Sequence, residues 1–324
     1  MRTKILVCGA TGFIGRNIAE ALAGDDACEV YGTCLNSPPL NHPKIKMLKC
    51  DLTSKTDVAR VVAGMDVIVQ AAACTSGSKE ILSKPYYHVT DNAIMNSLIF
   101  RAAFENKVKH VLFFSCTVMY PSSDVPAKEE DFKGAEMHPS YFGSGWTKVY
   151  IEKMCEFYSR IGDTKYTVMR HSNIYGPYDK FDLERSHVFG ATITKVLAAK
   201  EGGEIVVWGG GEEKRDLLYV DDLVDFVKLA ISRQTSRFEL LNVGCGSAIA
   251  VKDLVAKIIA LSGKKLKLTF DLTKPTIKTG LCVDASKARR TLGWEKRTGL
   301  DEGILKTMKW HREHISGPGG GKAK

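Results

Sequence analysis

The first seventeen residues constrain this chain more than any other stretch. Arg2-Thr3-Lys4-Ile5-Leu6-Val7-Cys8 reads as a buried parallel strand, Gly9-Ala10-Thr11-Gly12-Phe13-Ile14-Gly15 follows at once, and Arg16–Leu22 has helical period. Each glycine of such a unit has its own task. Gly9 permits the tight turn, Gly12 lets backbone approach a pyrophosphate, and Gly15 lets the helix pack close to the sheet. The helix start offers phosphates unpaired N–H groups and a partial positive charge. The bland alternative is a glycine turn with no ligand, and the strand before and helix after argue against it. Gly9, Thr11, Gly12, Phe13, Ile14, Gly15 and Arg16 are therefore the expected dinucleotide contacts.

Strands are expected at 28–34, 45–49, 66–73, 110–115 and 165–170, with long helices at 90–106 and from 144 to 161. That alternation predicts an α/β fold: a right-handed, doubly wound parallel sheet of Rossmann type over 1–172, with 216–244 partly returning to it. Residues 173–314 are expected to form a smaller α/β lobe. Its helices fall near 188–199, 251–262 and 300–314, and its strands at 205–208, 240–243 and 265–270. The Gly/Lys-rich tail has almost nothing to bury, so 315–324 is expected to be disordered.

The second strand ends in Cys34-Leu35-Asn36-Ser37, where a fold that prefers NAD usually carries Asp or Glu. No carboxylate is there to repel a 2′-phosphate, and Arg16 is nearby, so NADP is the expected cofactor and NAD stays open. Asn36 falls at the ribose position. Asp51, followed by Leu52, is expected to accept from the adenine amino group, to cap the next helix, or both. Ala71, Ala72 and Ala73 are small enough to leave a cofactor room.

The net charge of +9 comes from dispersed lysines with no basic run interleaved with aromatics. A small anionic substrate such as a nucleotide fits this charge as well as nucleic acid does, and no nucleic-acid partner is expected. The nine cysteines are odd in number and scattered, without metal-ligand spacing, which suits reduced thiols and no metal site. No apolar run is long enough to span a bilayer, and the N-terminus enters a strand directly, so a cytoplasmic enzyme without a membrane partner is expected.

In this order the motifs resemble the extended short-chain dehydrogenase/reductase family, the NAD-dependent epimerase/dehydratases. Beyond the glycine turn, the resemblance rests on Asp91–Asn96, Ser115–Pro121, Asn173–Phe181 with Ser186-His187-Val188, and Trp208–Gly211 through Arg215-Asp216 to Asp222. Thr273-Lys274-Pro275, Asp284 and Leu292-Gly293-Trp294 complete it, so it covers residues 1 to about 314. Within the family the similarity is to members that epimerise and reduce a GDP-linked 4-keto-6-deoxy sugar. It implies an NAD(P)-dependent oxidoreductase acting on a nucleotide sugar near C4. It also implies a homodimer through helices 90–106 and 146–161, with Leu98, Ile99, Ala102, Val149, Met154 and Phe157 as apolar surface.

The family's reaction uses a Ser or Thr hydroxyl, a Tyr that moves the proton, and a Lys four residues later that binds the nicotinamide ribose and lowers the Tyr pKa. Lys148 matches the Lys, but Ser144 stands at the Tyr position. An aliphatic hydroxyl is a poor proton donor near neutrality. Tyr141, two helical turns before Lys148, is the substitute to test, its alternative being an ordinary loop aromatic. The hydroxyl position holds Cys116, flanked by Ser115 and Thr117, and Thr117 serves if the register slips by one. Val118 stands where the similar members carry an epimerising cysteine, while His187 matches the partner histidine, so epimerisation by the usual pair is not expected. The resemblance further assigns Asn173 to the diphosphate or sugar, Arg215 to a phosphate, Lys274 and Lys278 to the nucleotide, and His187 to the sugar. Trp208 flanks the base or sugar, unless it is core. Two rivals remain open: a catalytically weakened NAD(P)- or sugar-nucleotide-binding protein, and an epimerase or dehydratase with a different base.

Overall fold

The computed structural model describes residues 2–74, 85–184, 186–274 and 279–316. Lys278, Pro275 and the tail from 317 lie outside them. In chain order the elements are β1 (Thr3–Cys8), α1 (Phe13–Ala23), β2 (Cys28–Cys34), β3 (Ile45–Lys49), α2 (Lys55–Val62), β4 (Val67–Gln70), α3 (Thr90–Glu105) and β5 (His110–Phe114). Then follow α4 (Phe142–Ile161), β6 (Lys165–His171), β7 (Asn173–Tyr175), α5 (Val188–Ala198), β8 (Glu204–Trp208), β9 (Lys214–Arg215), β10 (Leu217–Tyr219) and α6 (Val220–Arg233). The last are β11 (Phe238–Val243), β12 (Ile249–Ala250), α7 (Val251–Ser262), β13 (Lys267–Asp271), α8 (Ser286–Leu292) and α9 (Leu300–His314).

The expected parallel sheet is there, seven strands in the order β11-β6-β5-β4-β1-β2-β3. β1 sits inside it, with Val7 opposite Gly32 of β2 on one side and Val69 of β4 on the other. Strands buried on both faces need apolar side chains on both. Ile5 and Val7 face the core shared with α1, α6 and α8, whereas Leu6, Cys8 and Ile68 face the core under α2, α3 and α4. β11 pairs with β6, so the chain does return to the sheet after leaving it. A third apolar cluster lies beyond the sheet, built from α5, α7 and α9 with Ile205 and Val207 of β8. The strand expected at 265–270 is β13, paired in parallel with β8.

Two expectations need correction. Of the six residues expected as apolar dimer surface, Ile99, Ala102 and Val149 are buried, Leu98 and Met154 pack against the core, and only Phe157 is exposed. Helices α3 and α4 lie between the sheet and solvent, and their most apolar positions go to the sheet. The exposed apolar side chains are instead Ile94 on α3 and Phe142, Trp146, Tyr150, Phe157 and Ile161 on α4. Asp51 does not cap α2 either. Ser54 does, accepting from the Asp57 amide, while Asp51 accepts from the Thr53 amide at 2.9 Å and hydroxyl at 2.7 Å.

Gly15 is where helix and turn meet. A Cβ there would lie 2.2 Å from the Gly9 carbonyl oxygen, a backbone atom that cannot yield. Gly15→Ala is expected to destabilise the protein by about 2 kcal/mol, read as a lower urea midpoint, because overpacking of this kind forces the helix off the sheet.

Candidate active site

The phosphate-binding turn is built as its glycines require. Gly9 has φ +73°, and a Cβ on it would meet the Ala72 Cα of the β4 end at 2.8 Å. Its amide donates to Thr33 Oγ1 at 2.9 Å. Gly12 is the N-cap of α1, no side chain caps the helix, and its first turn holds no acid. The opening N–H groups and the helix dipole are left for an anion, which fits a pyrophosphate. Thr11, Phe13, Ile14, Ala71 and Ala72 are half-buried around this turn; Ala73 and Asn36 are exposed, and Leu52 is buried. Arg16 donates Nε–H to Glu20 at 2.8 Å and lays its guanidinium 3.8 Å over the Tyr178 ring. It is thereby committed to the loop after β7 as much as to any ribose.

Across the sheet, β5 ends at Phe114 and the chain runs through Ser115, Cys116 and Thr117. Lys148 of α4 reaches back under it and donates from Nζ to the Phe114 carbonyl at 2.6 Å. Burial lowers its pKa, and Cys116 and Glu152 partly offset this. Burial raises the Cys116 thiol, with Lys148 opposing. Cys116 is therefore a neutral thiol beside the lysine.

A cavity of about 480 Å³ opens next to this strand end, with Thr117, Tyr141, Ser172, Asn173, Arg215 and Asp216 among its walls. Tyr141 gets there because Pro139–Tyr141 forms one 3-10 turn and α4 starts only at Phe142. Burial raises the phenol's pKa, the Arg215 charge lowers it and Cys116 raises it. The phenol therefore feels both the strand end and the cation across the cavity. Ser144 is not a wall of the cavity; its hydroxyl lies 3.3 Å from the Tyr141 carbonyl, which accepts from it.

Arg215 is fixed by donating Nη1–H to the Lys214 and Thr279 carbonyls at 2.9 and 3.0 Å. Among the described residues no carboxylate pairs with it. Asn173 is exposed and donates Nδ2–H to the Asp216 carbonyl at 3.2 Å. His187, Trp208 and Lys274 are not cavity walls. His187 is the N-cap of α5; desolvation, then the Lys180 and Arg215 charges, lowers its pKa. Trp208 is not core: it is 56% exposed, with Lys274 Nζ 5.8 Å over its ring.

Sequence reasoning missed the layer beneath the strand end. Arg170 and Glu152 form a buried ion pair, Ser115 donates to Glu152, and Arg170 donates to the Tyr120 hydroxyl at 2.9 Å. The available signals were an arginine directly after Val168 and Met169 in a strand and Glu152 one turn past Lys148.

Residues 5–244 match the NAD dependent epimerase/dehydratase family. The chain belongs to this family. GDP-L-colitose synthase of Yersinia pseudotuberculosis is 28% identical over 95% of this chain and 97% of its own length. Probable GDP-L-fucose synthase 1 of Oryza sativa subsp. japonica is 31% identical over 96% and 93%. Among solved structures, the UDP-glucose 4-epimerase of Thermotoga maritima with UDP-glucose superposes with a TM-score of 0.84 at 24% identity, covering 96% of this chain and 99% of that one. UDP-glucuronic acid 4-epimerase of Bacillus cereus, with UDP-glucuronic acid and NAD, gives 0.83 at 22%, covering 96% and 99%. These last two share the fold. Membership of the epimerase/dehydratases makes the chain an enzyme of the NAD(P)-dependent kind, as the glycine turn implies.

His171, at the end of β6, has its pKa pushed down to about 4, first by burial; the Lys148 charge acts in the same direction. Its Nδ1–H donates to the Ser172 carbonyl at 2.8 Å, so the neutral ring belongs to the fold. A lowered histidine pKa means the unfolded chain takes up the proton first. The stability it contributes is complete above about pH 6.5 and is lost as pH falls toward 4. NMR of the His171 ring is expected to show no titration down to about pH 5, and His171→Asn to flatten the acid side of the stability curve.

Proposed function

We propose that this protein is an NADP-dependent reductase of a nucleotide-linked keto sugar, most consistent with a GDP sugar reduced near C4. One observation carries the reading: Tyr141 and Thr117 face the same cavity as Arg215, beside Cys116 and Lys148. When bound, the reduced nicotinamide supplies the hydride. The chain supplies the rest. The Gly9–Arg16 turn holds the pyrophosphate, with Asn36, Asp51, Leu52 and Ala71–Ala73 along the adenosine and nicotinamide path. Thr117 donates to the sugar oxygen, Tyr141 gives it the proton, Lys148 holds the nicotinamide ribose, and the Arg215 charge favours the phenolate that results. Arg215 and Asn173 bind the diphosphate, and Trp208, Lys274 and His187 extend that surface toward the nucleotide and sugar. The absence of a carboxylate at the β2 end favours NADP. Val118 in place of a thiol argues against epimerisation by a cysteine–histidine pair. The relatives named above, GDP-L-colitose and GDP-L-fucose synthases, support the sugar-nucleotide class.

The division of labour follows: 1–172 with the returning 216–244 for the cofactor, 173–314 for the sugar nucleotide. No helix among the described residues is long and apolar enough to cross a membrane, and we place the enzyme in the cytoplasm. The test is purification, mass spectrometry of small molecules released by denaturation, and an assay with GDP-4-keto-6-deoxymannose and NADPH. Tyr141→Phe is expected to lower kcat about 10²–10⁴-fold, the usual worth of a general acid, and Ser144→Ala to change it less than about two-fold. Cofactor bound tightly with no turnover of any keto sugar would make the chain a binding protein instead.

We also propose a homodimer through α3 and α4. Trp146, Tyr150, Phe157 and Ile161 recur at near-helical spacing on the exposed side of α4, with Ile94 on α3. Light scattering is expected to give twice the chain mass, and Phe157→Asp together with Tyr150→Asp to give the monomer.

A further inference from the structure

Among the described residues, Glu152–Arg170 is the one ion pair with both side chains almost wholly buried, at 4% exposure each. The pair is bidentate: Arg170 Nε and Nη2 donate to the two Glu152 oxygens at 3.0 and 2.7 Å. Burying two charges in this way contributes little to stability, since desolvation offsets most of the attraction. What the pair does control is the strand end. Ser115 Oγ donates to Glu152 at 2.5 Å. Arg170 Nη1 donates to the Tyr120 hydroxyl at 2.9 Å and to the Glu129 carbonyl at 3.1 Å, and Tyr120 donates on to Asn242 at 2.8 Å. Ser115 and Tyr120 bracket Cys116 and Thr117. One turn earlier on α4, Lys148 is tied to Phe114, the residue before Ser115.

We propose that Glu152 and Arg170 are positioning residues for the reaction: they fix the 115–120 segment against Lys148 and supply the negative charge that the Lys148 ammonium faces. The inference rests on the reductase reading and adds to it. Three titratable groups face Lys148: Cys116 from the strand end, Glu152 from its own helix, and His171 from the end of β6. His171 is neutral and Cys116 is a neutral thiol, so Glu152 is the one formal anion of the three. Its loss leaves a buried cation without its counter-charge and a buried arginine without its partner.

The experiment compares wild type, Glu152→Gln, Glu152→Asp and Tyr120→Phe. NADPH binding is followed by nicotinamide fluorescence from about pH 6 to 10, and turnover with the keto sugar is measured alongside. In wild type, binding is expected to weaken at the alkaline end as Lys148 loses its proton. Glu152→Gln should shift that limb about one unit toward acid, the size expected for removing a neighbouring opposite charge, and Glu152→Asp should restore most of it. Tyr120→Phe keeps both charges; it should leave the limb and the NADPH KM in place and lower kcat about ten-fold, the effect of a slightly misplaced catalytic segment. A Glu152→Gln protein that binds NADPH with an unmoved limb overturns the inference and leaves the reductase standing. A wild type that binds no nicotinamide cofactor overturns both. If Glu152→Gln does not fold, an unchanged kcat in Tyr120→Phe overturns the inference by itself.

Discussion

The contact on which the rest depends is the one between the Gly9 turn and its neighbours. β1 lies where the strand order reverses, with β2 and β3 on one side and β4, β5, β6 and β11 on the other. A crevice opens at the carboxyl ends of strands at such a point, and ligands bind there. The crevice is narrow. Ala72 of the β4 end lies so near that no Cβ fits on Gly9, and the Gly9 carbonyl so near α1 that none fits on Gly15. The helix N-terminus is therefore held directly over the gap between β1 and β4. A wider turn would place the same N–H groups too far from the sheet to share a ligand with the β4 and β5 ends.

A second constraint is polar, in groups placed under the sheet end. Parallel strands covered on both faces normally carry apolar runs, and β6 obeys this through Val168 and Met169 before breaking it with Arg170. Every donor of that guanidinium named above is used, on Glu152, Tyr120 and the Glu129 carbonyl. A fully satisfied buried network specifies one arrangement, because any alternative leaves a charge unpaired. The cleft above it is electrostatically simple. Asp216, a cavity wall, spends its carboxylate on the Cys245 and Val283 amides at 2.9 and 3.1 Å. Lys214 pairs with Asp124. Arg215, a cavity wall, is held by carbonyls rather than by a carboxylate among the described residues, so its charge is not neutralised in place.

The sheet was legible because its signals are local. A strand, a glycine turn and a helix within seventeen residues carry their own chemistry, and α7 and α9 were legible from apolar period alone. The dimer face was not, because α3 and α4 have more than one apolar side and period does not say which side meets the sheet. Ile99 and Val149 went inward while Trp146 and Tyr150 stayed out. The Glu152–Arg170 pair was hidden for a related reason. A helical glutamate is ordinarily a solvated charge, and only the packing of α4 on β6 makes it a buried one. Trp208 stayed open between surface and core in the sequence, since its exposure depends on which face of the β8–β13 ladder is covered.

Tyr141 and Ser144 show how far spacing can be trusted. Measured along an ideal helix from Lys148, Tyr141 is two turns away and Ser144 is the residue in register. The helix does not extend that far. It begins at Phe142, and the preceding 3-10 turn sets the direction of Tyr141. A 3-10 turn advances farther per residue than an α-helix and rotates the side chain by a different angle. The i, i+4 relation therefore no longer decides which side chain meets the cleft. Ser144 lies inside α4 with its hydroxyl directed at the Tyr141 carbonyl, while the Tyr141 phenol lies in the field of Arg215 and Cys116. A chain that moves its helix start can keep the lysine on the helix and bring its phenol from the turn before it. The spacing between the two then changes without the cleft losing either group.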